Sequence, residues 1–451
     1  MSSLRLAAFL LSLLALLGWS ASPVAAQSIL RDAETESFLH DLAAPVVSAA
    51  GLQPANVDIV LVNDSSVNAF VAGGQAVYIN SGLIEEADTA AQVQGVIAHE
   101  LGHVVGGHAV FNPAGKAASH ISILSLLLGA AAIAAGGGEA GMGVMMAGQQ
   151  AAMGNFLAYT RSQEASADAA GATFLSKAGI SGRGSLQFFQ KLQNLEFRHG
   201  YSPQTGDEFY STHPLTGDRI QTLQDTYEKD PAWTKPDDPA MQARFERIKG
   251  KLFGYIADPK LVLRTYPPSD TSVPARYARA YAYHRLSEFD EARAEVTALV
   301  AKNPDDPYFL EMQGQILLES GHPRDALAPL RRATHLTGNQ PLIASLFAHA
   351  LIATDDPQFH DEAREVLKAA VARDRENPFA WYQLGVIYAQ DGDMPRAYLA
   401  SAEQQVMAGN MAEALRSAQA AQVGLPQYSA DWLRAQDIEM QARAAMERAR
   451  K

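Results

Sequence analysis

The chain has 451 residues, of which 47% are hydrophobic, 19% charged and 8% aromatic. This length provides for two or three domains with buried cores, and the composition excludes a disordered chain and a polytopic membrane protein. The net charge of −13, without a basic run interleaved with aromatic residues, excludes the usual electrostatic footprint of a nucleic-acid-binding protein. Because cysteine is absent, disulfides and thiolate sites are excluded, and any metal must be held by histidine and carboxylate ligands.

Residues 1–26 have the pattern of a secretory signal peptide. Arg5 precedes an apolar run over 6–17, and small residues follow at 24–26. The apolar run is shorter than the ~20 residues that a helix needs to cross a bilayer. We therefore expect cleavage near Ala26 and export to a bacterial periplasm.

Residues 57–79 consist of short apolar runs separated by turn-forming residues. The runs are 57–62, 67–71 and 76–79, and the turn segments between them are 63–66 and 73–74. Runs of this length, bounded by turn residues, are typical of β-strands. The pattern predicts three short antiparallel strands.

An amphipathic helix is predicted directly after these strands. Thr89 and Gln92 match the capping-box pattern that begins helices, and apolar residues then recur at helical spacing. Gly106 and Gly107 end the pattern, as glycines do at helix C-termini.

This helix contains an H-E-x-x-H motif, formed by His99, Glu100 and His103. Four residues correspond to about one helical turn, so both imidazoles project from one face and can share a metal ion. Glu100 lies beside them, within reach of a water molecule that the metal activates. The motif predicts a metal site with a glutamate base, and the alternative is two solvent-facing histidines on an ordinary helix.

A catalytic zinc site needs a third protein ligand. The extended motif H-E-x-x-H-x-x-G-x-x-H fails here, because Ala109 occupies the last position and His108 comes one residue early. The other source is a later helix that carries Glu164 and Asp168 one turn apart among small and apolar residues. We expect Glu164 to bind the metal and Asp168 to accept the free ring N–H of a ligating histidine. The alternative for such a pair is a solvated helix face.

His213 is the remaining candidate residue. Pro214 keeps it out of the helical region, so its imidazole lies in an extended loop that can lean over the site. Two roles are open, namely donation to a developing oxyanion and binding of zinc as a fourth ligand that closes the site. The alternative is a surface loop histidine. Arg219 is expected to pair with a carboxylate such as Asp168.

Residues 121–156 form an apolar, Gly-interrupted segment. Its two arms, on either side of the glycines at 136–138, are each shorter than a membrane-spanning helix. The segment is typical of a buried helical hairpin, and the alternative is a mobile lid or a flap that makes peripheral contact with a membrane.

The C-terminal part of the chain is repetitive. Ala292, Ala326, Ala363 and Ala397 recur at intervals of 34, 37 and 34 residues, accompanied by aromatic residues and glycines at fixed offsets. A period of 34 residues with these companions is the tetratricopeptide pattern, and it predicts about four helix pairs over 272–423. Stacked helix pairs form a concave surface that binds peptides or partner proteins. The Pro-rich segment 229–270 before them predicts a domain border.

Four motifs in this order resemble the zinc metallopeptidase family of the CAAX prenyl endopeptidases. They are His99-Glu100-Leu101-Gly102-His103, the Glu164 and Asp168 pair preceded by Tyr159 and Arg161, the segment 211–214 with Arg219, and Asn68-Ala69-Phe70 before Gly73-Gly74. Within this family, the periplasmic branch with C-terminal tetratricopeptide repeats is similar to almost the whole of the chain after residue 26.

The resemblance implies a fold and a division of the chain. The fold is an α+β metalloprotease domain of the gluzincin type, mostly helical with a small antiparallel sheet, followed by an all-α tetratricopeptide-repeat solenoid. The division is 1–26 as signal peptide, 27–228 as metalloprotease domain, 229–270 as Pro-rich linker with one helix, and 271–451 as repeat domain.

The resemblance also implies an activity and its residues. One zinc ion per chain would be bound by His99, His103 and Glu164, with Glu100 as base and His213 as a regulatory fourth ligand. The reaction would be hydrolysis of peptide bonds in misfolded or stalled outer-membrane proteins, with the repeats contacting the substrate or the β-barrel assembly machinery.

Two further expectations concern how the protein works. Substrate would lie extended against residues 68–71, because the exposed edge of a strand can accept a further strand. The rival function is that of a periplasmic chaperone or scaffold, which acts through its repeats while His213 keeps the metal site closed.

Overall fold

The computed structural model describes residues 28–72, 74–108, 146, 160–199, 213 and 216–449. The predicted signal peptide lies outside the described residues, and so does the apolar segment 121–156 apart from Met146. No helix in the described ranges is both long enough and apolar enough to cross a bilayer.

The N-terminal part contains one small sheet. Its strands are β1 (Ser28–Leu30), β2 (Asp58–Asn63), β3 (Ala69–Ala72) and β4 (Ala76–Asn80). Their spatial order is β1-β2-β4-β3. β1 pairs with β2 and β3 pairs with β4 in antiparallel fashion, whereas β2 and β4 run parallel.

The α+β class predicted for this part is confirmed, but the prediction of an all-antiparallel sheet of three strands was wrong. β1 is a fourth strand. The β3–β4 hairpin is attached to β2 by the parallel pairing of β4 with β2. The side chains of Val77 and Ile79 on β4 are fully buried, so this strand occupies the centre of the sheet. As a result β3 lies at an edge of the sheet, next to the helix that carries the H-E-x-x-H motif.

Six helices pack around the sheet in the described part of residues 28–227. They are α1 (Ala33–Ala49), α2 (Ser81–Glu86), α3 (Ala90–Gly106), α4 (160–178), α5 (Arg183–His199) and α6 (Gly217–Tyr227). A short 3₁₀ turn, Pro54–Asn56, precedes β2.

The predicted limits of α3 are confirmed. The hydroxyl of Thr89 accepts from the backbone N–H of Gln92, and the side chain of Gln92 accepts from the N–H of Asp88 at 2.7 Å. At the other end Gly107 adopts the left-handed conformation, with φ of 65°, that glycine provides at helix ends.

Glycines let α3 and α4 approach closely. A Cβ atom on Gly102 would lie 2.6 Å from the carbonyl oxygen of Ala167, and one on Gly171 would lie 3.0 Å from the backbone of Ala98. Any larger residue would therefore separate the two helices. This contact sets the distance between the histidines of α3 and the acidic residues of α4.

The C-terminal part is helical throughout its described length. It begins with α7 (Pro239–Ile256) and α8 (Pro259–Thr265). Five helix pairs follow: α9 (Val273–Arg285) with α10 (Phe289–Lys302), α11 (Pro307–Glu319) with α12 (Pro323–Leu336), α13 (Pro341–Ala353) with α14 (His360–Arg373), α15 (Pro378–Gln390) with α16 (Met394–Met407), and α17 (Met411–Gly424) with α18 (Ala430–Ala449). A 3₁₀ turn, Pro357–Phe359, precedes α14.

The prediction of a helical repeat domain is confirmed, while the number of pairs was too low by one. The second helices of the first four pairs begin at the predicted intervals of 34, 37 and 34 residues. α18 was missed because it has 20 residues, against 13 or 14 in the other paired helices, and so breaks the repeat period.

α7 packs against both parts of the protein. Phe245, Ile248 and Leu252 belong to the hydrophobic core of the N-terminal part, and a Cβ atom on Gly254 would lie 2.6 Å from the carbonyl oxygen of Ala278 on α9. The segment 229–270, predicted as a linker with one helix, therefore contains two helices that are packed.

A buried ionic cluster reinforces this junction. Glu34 of α1 accepts a hydrogen bond from the hydroxyl of Tyr277 on α9 at 2.8 Å and lies 3.3 Å from the ammonium of Lys251. Arg247 pairs with Glu34 and with Asp306, the latter at 2.8 Å. Each buried charge is thus matched by an opposite one from another segment of the chain.

Glu311 lies beside this cluster and gives the fold a pH dependence. It lines a cavity of about 270 Å³ between β1 and α11. Burial raises the pKa of Glu311 from its ordinary value of 4.5 to about 8, because loss of hydration outweighs the attraction of the Lys251 ammonium. Between pH 4.5 and 8 the folded protein therefore keeps a proton that the unfolded chain loses, and stability falls as the pH rises.

Glu311→Gln should remove this dependence. We expect the variant to melt at a higher temperature than the wild type at pH 8.5 and at nearly the same temperature at pH 4.5, since an amide resembles the protonated carboxyl. Thermal unfolding at both pH values measures the difference. A difference that does not change with pH would contradict the prediction.

Candidate active site

Four side chains with metal-binding atoms meet between α3, α4 and the residue at position 213. They are His99, His103, Glu164 and His213, all buried, and one ligand atom of each lies within 4.8 Å of the others. The Nε2 atoms of His99 and His103 are 3.2 Å apart. Glu164 Oε1 lies 3.3 Å from His103 Nε2, and Glu164 Oε2 lies 3.1 Å from His213 Nδ1. The three predicted ligands and the predicted loop histidine thus lie in one cluster.

The carboxylate of Glu100 lies next to this cluster. The side chain is fully buried, and among the described residues neither of its carboxylate oxygens accepts a hydrogen bond. His213 Nε2 is 3.6 Å from Glu100 Oε1. A buried carboxylate without hydrogen bonds is costly unless a cation lies nearby. Together with two imidazoles and a carboxylate, which are ligands typical of zinc, this observation fits a bound metal ion.

Asp168 contacts the cluster through His99, and Arg219 contacts it through Glu164. Asp168 Oδ1 is 2.9 Å from His99 Nδ1, the ring nitrogen that faces away from the cluster. Arg219 donates two hydrogen bonds to Asp168, at 2.7 and 2.9 Å, and its third nitrogen is 3.1 Å from Glu164. The predicted pairing of Arg219 with Asp168 is therefore confirmed, and Arg219 contacts Glu164 as well.

The charges of the cluster keep its carboxylates ionised. Burial opposes ionisation of Glu164, but hydrogen bonds from His103, His213 and His99 outweigh it and hold the pKa of Glu164 far below its ordinary value. Burial lowers the pKa of His99, yet the carboxylates of Asp168 and Glu164 outweigh that effect and raise it to about 10. The site thus attracts positive charge, whether a proton or a metal ion.

Among the described strands, the predicted substrate strand lies at an edge of the sheet. The N–H of Asn80 donates to the carbonyl of Asn68 at 3.0 Å. Because bonded pairs alternate along an antiparallel ladder, Phe70 and Tyr78 form the next bonded pair. The backbone N–H and C=O groups of Ala69 and Val71 therefore point away from β4, although Ala69 itself is fully buried.

No role for His108 follows from the sequence motifs. The structure brings its Nδ1 to 2.9 Å from His103 Nδ1. The sequence does contain a histidine directly after the two glycines that end α3. Only the conformation of the turn shows that the chain folds back there and brings His108 to His103.

Comparison with known proteins agrees with this geometry. Residues 30–227 match the family described as Peptidase family M48. Residues 277–341 and 358–407 match the tetratricopeptide repeat family. Residues 30–227 thus form a metallopeptidase domain of family M48, and tetratricopeptide repeats follow it. The family implies a metal ion. The predicted resemblance is confirmed for the metallopeptidase family and for the repeats.

Relatives of this M48 peptidase extend over most of its length. The beta-barrel assembly-enhancing protease of Yersinia pestis is 24% identical over 87% of this chain and 80% of its own. The protein of the same name from Escherichia coli K12 is 23% identical over 86% of this chain and 78% of its own. A relative from Vibrio cholerae is 27% identical over 63% of this chain, and the alignment spans 59% of that protein, less than two thirds. A solved tetratricopeptide-repeat protein, YrrB, superposes with a TM-score of 0.32 and 20% identity over 39% of this chain and 92% of its own.

Proposed function

We propose that this M48 peptidase is a zinc-dependent endopeptidase that hydrolyses misfolded or stalled outer-membrane proteins in a bacterial periplasm. The observation that carries the proposal is the buried carboxylate of Glu100, without hydrogen bonds in the described structure, beside a cluster of metal-binding side chains. The names of the relatives support the substrate class. The signal-peptide pattern of residues 1–26 supports the location.

In this proposal His99, His103 and Glu164 hold one zinc ion per chain. When bound, zinc acts as a Lewis acid that activates water and polarises the scissile carbonyl group. The Asp168 carboxylate, 2.9 Å from His99 Nδ1, favours a proton on that nitrogen, which leaves His99 Nε2 free to bind the metal. Arg219 holds Asp168 in place through two hydrogen bonds.

Glu100 acts as the general base and acid. Its carboxylate takes a proton from the attacking water and returns it to the leaving amine. The absence of hydrogen bonds to this carboxylate from the described residues leaves its lone pairs available for that proton.

His213 is proposed as a fourth zinc ligand that closes the site until substrate arrives. Its two ring nitrogens lie 3.1 Å from Glu164 and 3.6 Å from Glu100, so its imidazole fills the space beside both carboxylates. Withdrawal of His213 would open this space to a peptide carbonyl. In the alternative role, His213 would stay nearby and donate a hydrogen bond to the oxyanion.

Zinc content and cleavage rate, measured together, test the proposal. We expect one zinc per chain in the wild type and in His213→Ala, cleavage of an unfolded outer-membrane protein by both, and a higher rate for the variant. A lower rate for His213→Ala would instead favour the oxyanion role. Absence of zinc from the wild type would contradict the site assignment.

Substrate is proposed to extend the sheet at β3, alongside Asn68, Ala69 and Phe70. Ala69→Pro should then reduce cleavage about tenfold, because proline removes a backbone N–H that is not used in the pairing with β4. Val71→Pro removes the next outward N–H and should have a similar effect. The measurement is kcat/KM for an unstructured peptide.

A control separates this effect from misfolding. Zinc content should stay the same in both variants, and the melting temperature should fall less in Val71→Pro than in Ala69→Pro, since Val71 is half-buried whereas Ala69 is fully buried in the core. Unchanged cleavage by both variants would contradict binding at this edge.

The repeats are proposed to contact the substrate or the β-barrel assembly machinery. A second candidate function is that of a chaperone or scaffold acting through the repeats. The position of His213 against the ligand cluster favours it, because a closed site would be inactive for most of the time.

A further inference from the structure

We infer that His108 is a positioning residue for the metal site, which selects the ring tautomer of His103 that can bind zinc. The inference rests on the proposed role of His103 as a zinc ligand. His103 directs Nε2 into the cluster, where it lies 3.2 Å from His99 and 3.3 Å from Glu164. Its other ring nitrogen, Nδ1, faces His108 Nδ1 at 2.9 Å.

Two nitrogens at this distance share one proton between them. If His103 Nδ1 carries it and donates, His103 Nε2 has a free lone pair and can bind a metal. If His108 Nδ1 carries it, His103 must hold its own proton on Nε2, which then cannot bind. A His108 ring with its proton on Nε2 accepts at Nδ1 and therefore favours the binding form of His103.

The end of α3 is built to hold His108 in this place. The backbone N–H of His108 donates to the carbonyl of His103 at 3.1 Å, and the left-handed Gly107 turns the chain back toward that residue. A Cβ atom on Gly106 would lie 2.5 Å from His108 Nε2. Gly106 therefore leaves the space that the ring of His108 occupies.

The two histidines of the motif thus have different supports. His99 is supported by a carboxylate, Asp168, which is itself held by Arg219. His103 is supported by an imidazole at the helix end. An imidazole acceptor adds no negative charge, so it fixes the tautomer of His103 while leaving the charge of the site unchanged.

Zinc affinity of the metal-depleted full-length protein tests the inference. We expect His108→Ala to raise the zinc dissociation constant, measured by competition with a chromogenic chelator, about 10-fold to 100-fold. His108→Asn should restore most of the affinity, because its Oδ1 can accept where Nδ1 did. His108→Asp should bind zinc at least as tightly as the wild type.

Gly106→Ala provides a test that keeps His108. Its methyl group should displace the ring and weaken zinc binding, although alanine in place of glycine raises the melting temperature of a helical protein. The double variant with His108→Ala should bind no more weakly than the weaker single variant. Opposite changes in zinc affinity and thermal stability would not arise from general destabilisation.

The outcomes separate this inference from the proposed function. Unchanged affinity in His108→Ala, or equal losses in the Ala, Asn and Asp variants, would overturn the inference while zinc binding by the wild type stands. A wild type that does not bind zinc would overturn the site assignment itself.

Discussion

Glu100→Gln is expected to reduce peptide-bond cleavage about 100-fold to 10,000-fold, the range that loss of a general base produces. Zinc content should remain at one per chain, since Glu100 is not among the four clustered ligand residues. The measurement is cleavage of an unfolded outer-membrane protein under conditions of excess enzyme, together with metal analysis. Loss of zinc in parallel with activity would assign Glu100 to the metal shell instead.

The same substitution should stabilise the metal-free protein. Glu100 is fully buried and its oxygens receive no hydrogen bond from the described residues. Replacing this charge by a neutral amide of the same shape should raise the free energy of unfolding by about 1–2 kcal/mol. Urea denaturation after removal of metal measures this increase in the free energy of unfolding. Such an increase would show that Glu100 serves catalysis at a cost in stability.

Glu100→Gln also separates the two candidate functions. A chaperone or scaffold would keep its effect on outer-membrane protein assembly in this variant, because the repeats are unchanged. A peptidase would lose that effect together with cleavage.

Arg219→Met is expected to lower the free energy of unfolding of the metal-free protein by about 3–5 kcal/mol. Methionine fills a similar volume but leaves the buried carboxylates of Asp168 and Glu164 without their shared partner. Added zinc should recover part of the loss, since a cation between the ligands balances Glu164. Chemical denaturation with and without zinc measures both effects.

Arg331→Met is the matched control. Arg331 also makes two hydrogen bonds to one carboxylate, that of Glu362, at 2.9 and 2.8 Å, but on the surface of the repeats. Its loss should cost about 1 kcal/mol or less, because an exposed ion pair is screened by water. An equal decrease in the free energy of unfolding in the two variants would contradict the explanation that burial makes the Arg219 pairs important.

The relative positions of site residues that share one helix could be predicted from the sequence. His99 and His103, like Glu164 and Asp168, are four residues apart, and this spacing alone places each pair on one face. That the two pairs meet depends on the close approach of α3 and α4 at Gly102 and Gly171, which no single helix reveals.

Features that depend on contacts between distant segments were missed. The parallel pairing of β2 with β4 could not be inferred from alternating apolar residues, because alternation fixes which face of a strand is buried but not its neighbour. The buried ions of Glu34, Arg247 and Lys251 come from segments more than 200 residues apart in the sequence. His108 was overlooked because its position results from a left-handed turn.

The packing of α7 has a consequence for how a long polypeptide would be cut. α7 contributes to the N-terminal core and also packs on α9, the first repeat helix, so the repeats are joined to the N-terminal part through a packed helix. Under the proposed function, a polypeptide bound by the repeats would be cut at a position set by its distance along the polypeptide from the bound segment.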